Sequence, residues 1–521
     1  FIKAGPHESS LPHSPNVKLY PGQLIMPLLI NLKLITHCFP VHDPPTLRAL
    51  GHKWYCRLWA YQPLDSIRLY FGEKIGLYFA FLDYYTYCLI APAFVGILIV
   101  FLPMEILTEV LMVSVHNLMW IMFYLKAWRR YSNELVYKWG TIHAGVSRQP
   151  RVGYRGEVQP DPVTQKMVPS YPRWKTFFKV YFVSMPILML CLVLTVMMMF
   201  WFTRSKEYVE TSGHYSTLVR SAVGFGYGAL VAACSKLFQL IARLLTDYEN
   251  HRTSNSYYRH LIVKLITYNF VNHFGSLFYI AFVLQDFDQL IETAEALLIV
   301  NQIVVHAKQA FGPYLARLFV KRVTMNKTLK RIFRKKSRSE VEGAPTFRFI
   351  SPEDDVYYDF LFQNPKESVV PQIEEEIDMG VYEDTFSDYL DDFIQFGYVF
   401  LFSPIYPQAA MWAIINNIFK IRLMAFRMCT HFQRPPAKPS RGIGIWQNAY
   451  EALGLVSIIT NCAVLYILPI MKENLPFMTD IDWLLILVSV EHFIILWKAA
   501  LQYLIPRYPA WVSLDMAKAR C

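Results

Sequence analysis

Ten stretches of this chain are apolar for long enough to cross a bilayer as helices, and that restricts the fold more than any other feature. A hydrocarbon core about 30 Å thick needs roughly 20 helical residues to span it. Inside it every backbone polar group must be satisfied by the protein itself, so a helical bundle is expected. The blocks run from Ile75 to Leu102, Ile106 to Trp128, Phe177 to Phe202, Leu218 to Leu245, His260 to Leu284, Glu292 to Val320, Phe386 to Ser403, Gln408 to Cys429, Ile443 to Ile470 and Ile481 to Ile505. Composition agrees, because 54% of the 521 residues are hydrophobic and only 17% charged, too greasy for a soluble chain of this size. The expected fold class is an all-α integral membrane protein with ten transmembrane helices.

Charge placement orients the bundle, since cytosolic connections are rich in Lys and Arg. Such clusters follow the second, fourth, sixth and eighth blocks, for example Lys126, Arg129 and Arg148, then Arg252 and Arg259, then Lys321 and Arg334, then Arg427 and Arg434. The links after the first, fifth and seventh blocks have neither residue. Both termini are therefore expected in the cytosol. The net charge of +11 is accounted for by this bias, and no nucleic-acid partner is expected. The chain starts at Phe1 without a signal-peptide pattern, so residues 1–62 read as the remnant of a cytosolic N-terminal α/β domain. Residues 63–322 then hold an interfacial helix and spans one to six, 323–385 a charged cytosolic linker, 386–505 spans seven to ten, and 506–521 a cytosolic tail. The basic run Lys327 to Arg338 in that linker suits anionic headgroups at the membrane surface.

None of the eight cysteines falls in an expected outer loop, and no paired metal-ligand spacing occurs. No disulfide framework is expected, which suits an internal membrane. No nucleophile, Walker or zinc motif is present either, so the chain is not expected to be an enzyme.

Several polar residues interrupt the apolar blocks: Asp83 in the first, Asn269, Asn272 and His273 in the fifth, and Asn301, Gln302, His306, Lys308 and Gln309 in the sixth. Polar stripes on neighbouring spans imply a water-lined or headgroup-lined groove, or else hydrogen bonds across a helix interface. Gly224 and Gly228 in the fourth block have a spacing that permits close helix packing. Residues Asp65 to Ile75 read as an amphipathic helix at the membrane surface.

The most informative stretch is Asp384 to Met424. Asp388, Asp391 and Asp392 lie at i, i+3 and i+4 at the N-terminus of the seventh span, so they share one helical face. Acids there complement the helix dipole; equally, they supply part of the six to eight oxygens that a calcium ion takes.

Seven segments together resemble the anoctamin family: YFGEKIGLYFAFLDYYT from Tyr70, ENHRT from Glu249, SLFYIAF from Ser276, FIQFGYVFLF from Phe393, NNIFKIR from Asn416, QRP from Gln433 and IGIW from Ile443. The resemblance keeps the same order over nearly the whole chain from about Asp43. It implies a ten-span homodimer among calcium-activated chloride channels and phospholipid scramblases. In character it is nearest the endoplasmic-reticulum branch, with membrane lipids as partners.

The resemblance also implies a calcium site built by spans six, seven and eight. Its positions fall here on Val305 and Gln309, on Asp388 and Asp391, and on Lys420 and Met424. Two of five expected carboxylates remain, and one has become a cation. A divalent ion about 5 Å from an ammonium is repelled by several kcal/mol even at an effective dielectric near 20. Calcium, a cofactor of the relatives, is not expected to be required. Lys420 either lies against Asp388 or Asp391 as a built-in cation or extends to the cytosolic interface. The expected function is lipid scrambling, chloride conduction or both, without conventional calcium activation; the alternative is a non-transporting tether of the endoplasmic reticulum.

Overall fold

The computed structural model describes residues 9–11, 14–19, 29, 35, 38–57, 60–102, 105–142, 150–151, 153–160, 167–211, 217–300, 369–382, 384–469 and 479–519. Strands β1 (Ser9–Leu11) and β2 (Ser14–Leu19) form one antiparallel pair, and β3 (Glu157–Pro160) and β4 (Met167–Ser170) another. Helices make up nearly everything else. Helix α1 (Pro44–Trp54) starts with proline in its first turn, where the missing N–H costs nothing.

Helix α2 (Leu64–Phe71) ends at Gly72, whose φ of 95° turns the chain directly into α3 (Glu73–Cys88). The single surface helix expected from Asp65 to Ile75 is thus two helices. The first buries Ile67, Tyr70 and Phe71 against the bundle, so packing rather than the membrane surface takes its apolar face. Helix α4 (Ile90–Phe101) follows at once, then α5 (Ile106–Lys138). Next come α6 (Arg173–Phe178) and α7 (Met185–Thr211), joined by a π-helical segment at Lys179–Ser184. The remaining helices are α8 (Thr217–Tyr248), α9 (Ser254–Tyr279), α10 (Phe287–Glu295), α11 (Val369–Ile377), α12 (Phe386–Phe400), α13 (Ala409–Thr430), α14 (Ile445–Ile467), α15 (Asp480–Leu504) and α16 (Ala510–Lys518). Side-chain caps start three of them: Thr253 on α9, Asp286 on α10, and a Thr479–Asp482 capping box on α15, as the orphan N–H groups of a helix start require.

Among the described residues, seven helical stretches are long and apolar enough to cross a membrane: Glu73–Phe101, Ile106–Lys138, Arg173–Ser205, Gly226–Tyr248, Ala409–Thr430, Ile445–Ile467 and Ile481–Leu504. The other three apolar blocks also begin as helix. Helix α9 is long but carries the Asn269, Asn272 and His273 stripe, α12 has 15 residues, and the sixth block starts as α10 with a π-helical turn at Ala296–Val300. Its continuation lies outside the described residues, as do Asn301, Gln302, Val305, His306, Lys308, Gln309 and the run Lys327 to Arg338.

Helix α12 is the axis of the main core. Its Tyr389, Phe393 and Phe396 pack among Tyr78, Phe81 and Tyr85 of α3, Tyr124 and Trp128 of α5, and Trp446 and Tyr450 of α14. Aromatic pairs of this kind add stabilisation beyond their burial. One contact is set by a missing side chain: a Cβ at Gly397 would overlap the buried ring of Phe274 on α9. By contrast, a Cβ at Gly228 would meet nothing within 4 Å. Among the described residues, the Gly224–Gly228 spacing therefore brings no neighbour close at its second position. The described cysteines are free thiols.

Candidate functional site

Three acids on α12 share a face, yet the fold gives them different surroundings. Asp392 is 1% exposed and points between α13 and α3. There it accepts from the Lys420 ammonium at 2.5 Å and from the Tyr78 hydroxyl at 3.1 Å. Asp388, half-buried, accepts from the Tyr382 hydroxyl at 2.6 Å. Its backbone carbonyl accepts a second, longer bond from Lys420 at 3.3 Å. Asp391 is exposed.

Lys420, 8% exposed, therefore enters the acidic face instead of extending to solvent. Its ion-pair partner is Asp392, not Asp388 or Asp391, the two positions selected by the family pattern. The reason is angular: Asp392 lies on the side of α12 that packs against α13, whereas Asp391 turns outward. One helical turn beyond the lysine, Met424 is buried in the core. One turn before it, Asn417 is fully buried with both carboxamide atoms lacking a protein hydrogen-bond partner. Val305 and Gln309, the expected contributions of the sixth span, lie outside the described residues.

The polar residues of α9 are spent on holding helices together. Asn269 accepts from Ser235 Oγ at 2.8 Å, and Asn272 donates to Ser235 Oγ at 2.9 Å and to the Val231 carbonyl at 3.1 Å. His273 Nδ1 pairs with the Tyr398 hydroxyl at 3.1 Å. All three are buried, and their hydrogen bonds stitch α8, α9 and α12 together. Such bonds are a normal adhesive between helices in lipid. Ser235 is their hub, and nothing around it in the sequence marks it. Asp83 has a similarly local role, accepting from Gln62 at 3.1 Å. Nearby, the Arg422 guanidinium donates to the Trp54 and Ala60 carbonyls, which ties α13 to the segment after α1.

A second buried ion pair was not anticipated. Glu249, fully buried between α8 and α9, meets Lys264 Nζ at 2.7 Å through one oxygen and at 2.8 Å through the other, and His251 Nε2 at 2.7 Å. Burial alone would raise this carboxyl, but the bonds from His251 and Lys264 outweigh it and hold the pKa down at about 2. His260 completes a Glu–His–His group whose ligand atoms lie within 4.8 Å of one another. However, the imidazoles of His251 and His260 are stacked at 4.2 Å and 23°, and stacked rings cannot aim two in-plane lone pairs at one ion. With Lys264 on both carboxylate oxygens, the group is a clamp and not a ligand set.

A buried junction also secures the entrance of α12. The His42 backbone N–H donates to both oxygens of Glu376 at 3.2 and 3.1 Å, and its ring bonds the Tyr70 hydroxyl at 2.9 Å and the Phe432 carbonyl at 3.0 Å. Gln433 donates to the Glu376 carbonyl at 3.0 Å. Segments before α1, on α2, on α11 and after α13 thus meet in one knot.

Comparison with known proteins fits this architecture. A family profile described as "Anoctamin: Calcium-activated chloride channel" matches residues 67–519. The chain is 35% identical to Anoctamin-10 of Mus musculus over 98% of its own length and 74% of that protein, and 34% identical to Anoctamin-10 of Homo sapiens over the same shares. It is 26% identical to Anoctamin-8 of Mus musculus over 96% of this chain and 65% of that one. With apolar helices throughout and a match from before α3 to the end of α16, the chain is an integral membrane protein and belongs to the anoctamin family.

Proposed function

We propose that the chain is an anoctamin-type transport protein of an internal membrane, with ten spans and both termini in the cytosol. It moves phospholipid headgroups, chloride or both, works as a homodimer, and does so without calcium at the α12–α13 site. The observation that carries the last point is the ion pair between Lys420 and Asp392 at 2.5 Å. Calcium takes six to eight oxygens with several carboxylates among them. Here Asp392 already holds an ammonium, Asp388 is engaged by Tyr382, and Met424 offers no oxygen. The residues present do not fit the ion, and Lys420 supplies a permanent positive charge where relatives of the family would use an exchangeable one. Free cysteines and short links on the side opposite the basic clusters support an internal membrane such as the endoplasmic reticulum.

The test is reconstitution of the purified full-length protein in liposomes, reading lipid scrambling and chloride efflux with calcium and with chelator. Equal activity in the two conditions is expected. A steep rise with calcium overturns the reading of the site, and no transport of either kind overturns the reading of the protein.

A further inference from the structure

The link from α13 to α14 contains the run Arg434-Pro435-Pro436-Ala437-Lys438-Pro439-Ser440-Arg441. Proline fixes φ near about −65° and pushes the residue before it into extended backbone, so the run favours a polyproline II strap with about three residues per turn. Residues 433–440 are accordingly neither helix nor strand. Both ends of the strap are tied down. The Gln433 N–H donates to the Gly380 carbonyl at 2.8 Å, and the Arg434 guanidinium lies 4.2 Å over the Tyr70 ring while donating to the Tyr70 carbonyl at 2.9 and 3.2 Å. At the other end Ser440 Oγ donates to the Gly442 carbonyl at 2.8 Å, one residue before the buried Ile443.

A period of three divides the strap into three edges. Ala437 and Ser440 share the edge turned towards the chain. Ala437 abuts the α2–α3 turn, where a Cβ at Gly72 would meet the Ala437 Cα at 2.8 Å, and the adjoining Lys438 carbonyl accepts from the Lys74 N–H at 3.2 Å. Pro436 and Pro439 share the second edge, Lys438 and Arg441 the third, and all four are exposed. Pro435, in register with Lys438 and Arg441, is buried and anchors the start. The outward surface therefore displays two prolines three residues apart and an arginine two residues further on.

We propose that Pro436, Pro439 and Arg441 form a docking site for a protein domain of SH3 type, whose aromatic-lined groove ends in an acidic pocket. Such grooves take PxxP segments in their preformed extended conformation. Arg441 completes a PxxPxR spacing and supplies the charge that an acidic pocket complements. A strap already held in shape loses little conformational freedom on binding. It also adjoins the entrance of α12, because Lys74, whose N–H holds the strap, pairs with Asp384 at 2.5 Å. The site rests on the topology proposed above, which puts the α13–α14 link in the cytosol. Its test reads binding at a nanodisc, where both membrane faces are open, and not transport, so either reading can fail alone.

The experiment measures binding of a panel of purified SH3 domains that select PxxPx(Arg/Lys) peptides to the full chain in phosphatidylcholine nanodiscs, alongside a purified WW domain and a synthetic peptide of residues 432–443. Wild type should bind members of the panel at least as tightly as the peptide does, and more weakly at high salt. P436A/P439A and R441E should each weaken binding by roughly tenfold or more, and R441K should keep it. The same substitutions in the peptide, which has no fold to lose, should act in parallel. No binding by wild type, equal binding by wild type and P436A/P439A, or capture by the WW domain instead overturns the proposal. A peptide that binds more tightly than the full chain overturns it too, since the strap would then be covered. So does a loss seen only in the full chain, because the substitutions would then act through the fold.

Discussion

Replacing Lys420 by methionine separates a built-in cation from a side chain that merely happens to be buried. The substitution keeps an unbranched apolar stem of similar length and removes only the charge. Asp392, 1% exposed, would lose its ammonium while keeping the Tyr78 hydroxyl at 3.1 Å. Breaking a buried pair by removing one partner costs about 3–5 kcal/mol, whereas replacing both is often near neutral. Lys420→Met should therefore lower the apparent melting temperature strongly in chelator, and Lys420→Met with Asp392→Asn should recover most of the loss. The vacated space faces Asp388 and Asp392, so calcium should now stabilise the single variant. Saturation at a hundred times the dissociation constant contributes about 2.7 kcal/mol. Thermal unfolding of purified protein with calcium or chelator reads all of this in one series. Wild type should not shift with calcium. If Lys420→Met melts like wild type and stays blind to calcium, the ammonium is not acting as the cation of the site and the reasoning falls.

Two further perturbations probe the frame around that site. Glu249 has a folded-state pKa of about 2 against an ordinary 4.5, so its stabilising effect is complete above about pH 4.5 and is lost as pH falls towards 2; Glu249→Gln should be less stable at neutral pH and lose less on acidification, measured as melting temperature against pH, and parallel curves would refute the assignment. Gly397→Ala places a methyl against the buried Phe274 ring, an overpacking worth about 1–3 kcal/mol; the melting temperature should fall and be partly restored by adding Phe274→Leu, while an unchanged melting temperature would show that α9 and α12 do not approach so closely.

What could be read from the sequence divides along a physical line. Ten apolar blocks and their basic links are properties of whole segments, and each block does begin as helix. Local breaks were less visible: Gly72 ends α2 only because its backbone adopts a positive φ, which no periodicity reveals. The acids of α12 were legible as a cluster from their spacing, and Lys420 as their neighbour from the family pattern. Which acid the lysine meets was not, because Asp388, Asp391 and Asp392 all fall within an arc of about 100° of helix rotation and only the packing of α12 against α13 decides among them. The stripe Asn269, Asn272 and His273 illustrates the same limit. Its residues read as groove or glue from the sequence, which could not name Ser235 and Tyr398 on other helices as their hydrogen-bond partners.

The two buried lysines point to a common device. Lys264 joins α9 to Glu249 at the end of α8, and Lys420 joins α13 to Asp392 at the start of α12. Each closes a pair of adjacent helices with a carboxylate that is almost inaccessible to solvent. A carboxylate so placed is costly without a counter-charge, and the charge can be exchangeable or covalent. An exchangeable cation makes helix closure depend on its concentration; a covalent one makes closure constant. On the proposed reading, the α12–α13 pair has moved from the first arrangement to the second. The grip of Arg422 on the Trp54 and Ala60 carbonyls ties α13 itself to the chain preceding α2, and the His42–Glu376 knot ties that chain to α11 and to the segment after α13.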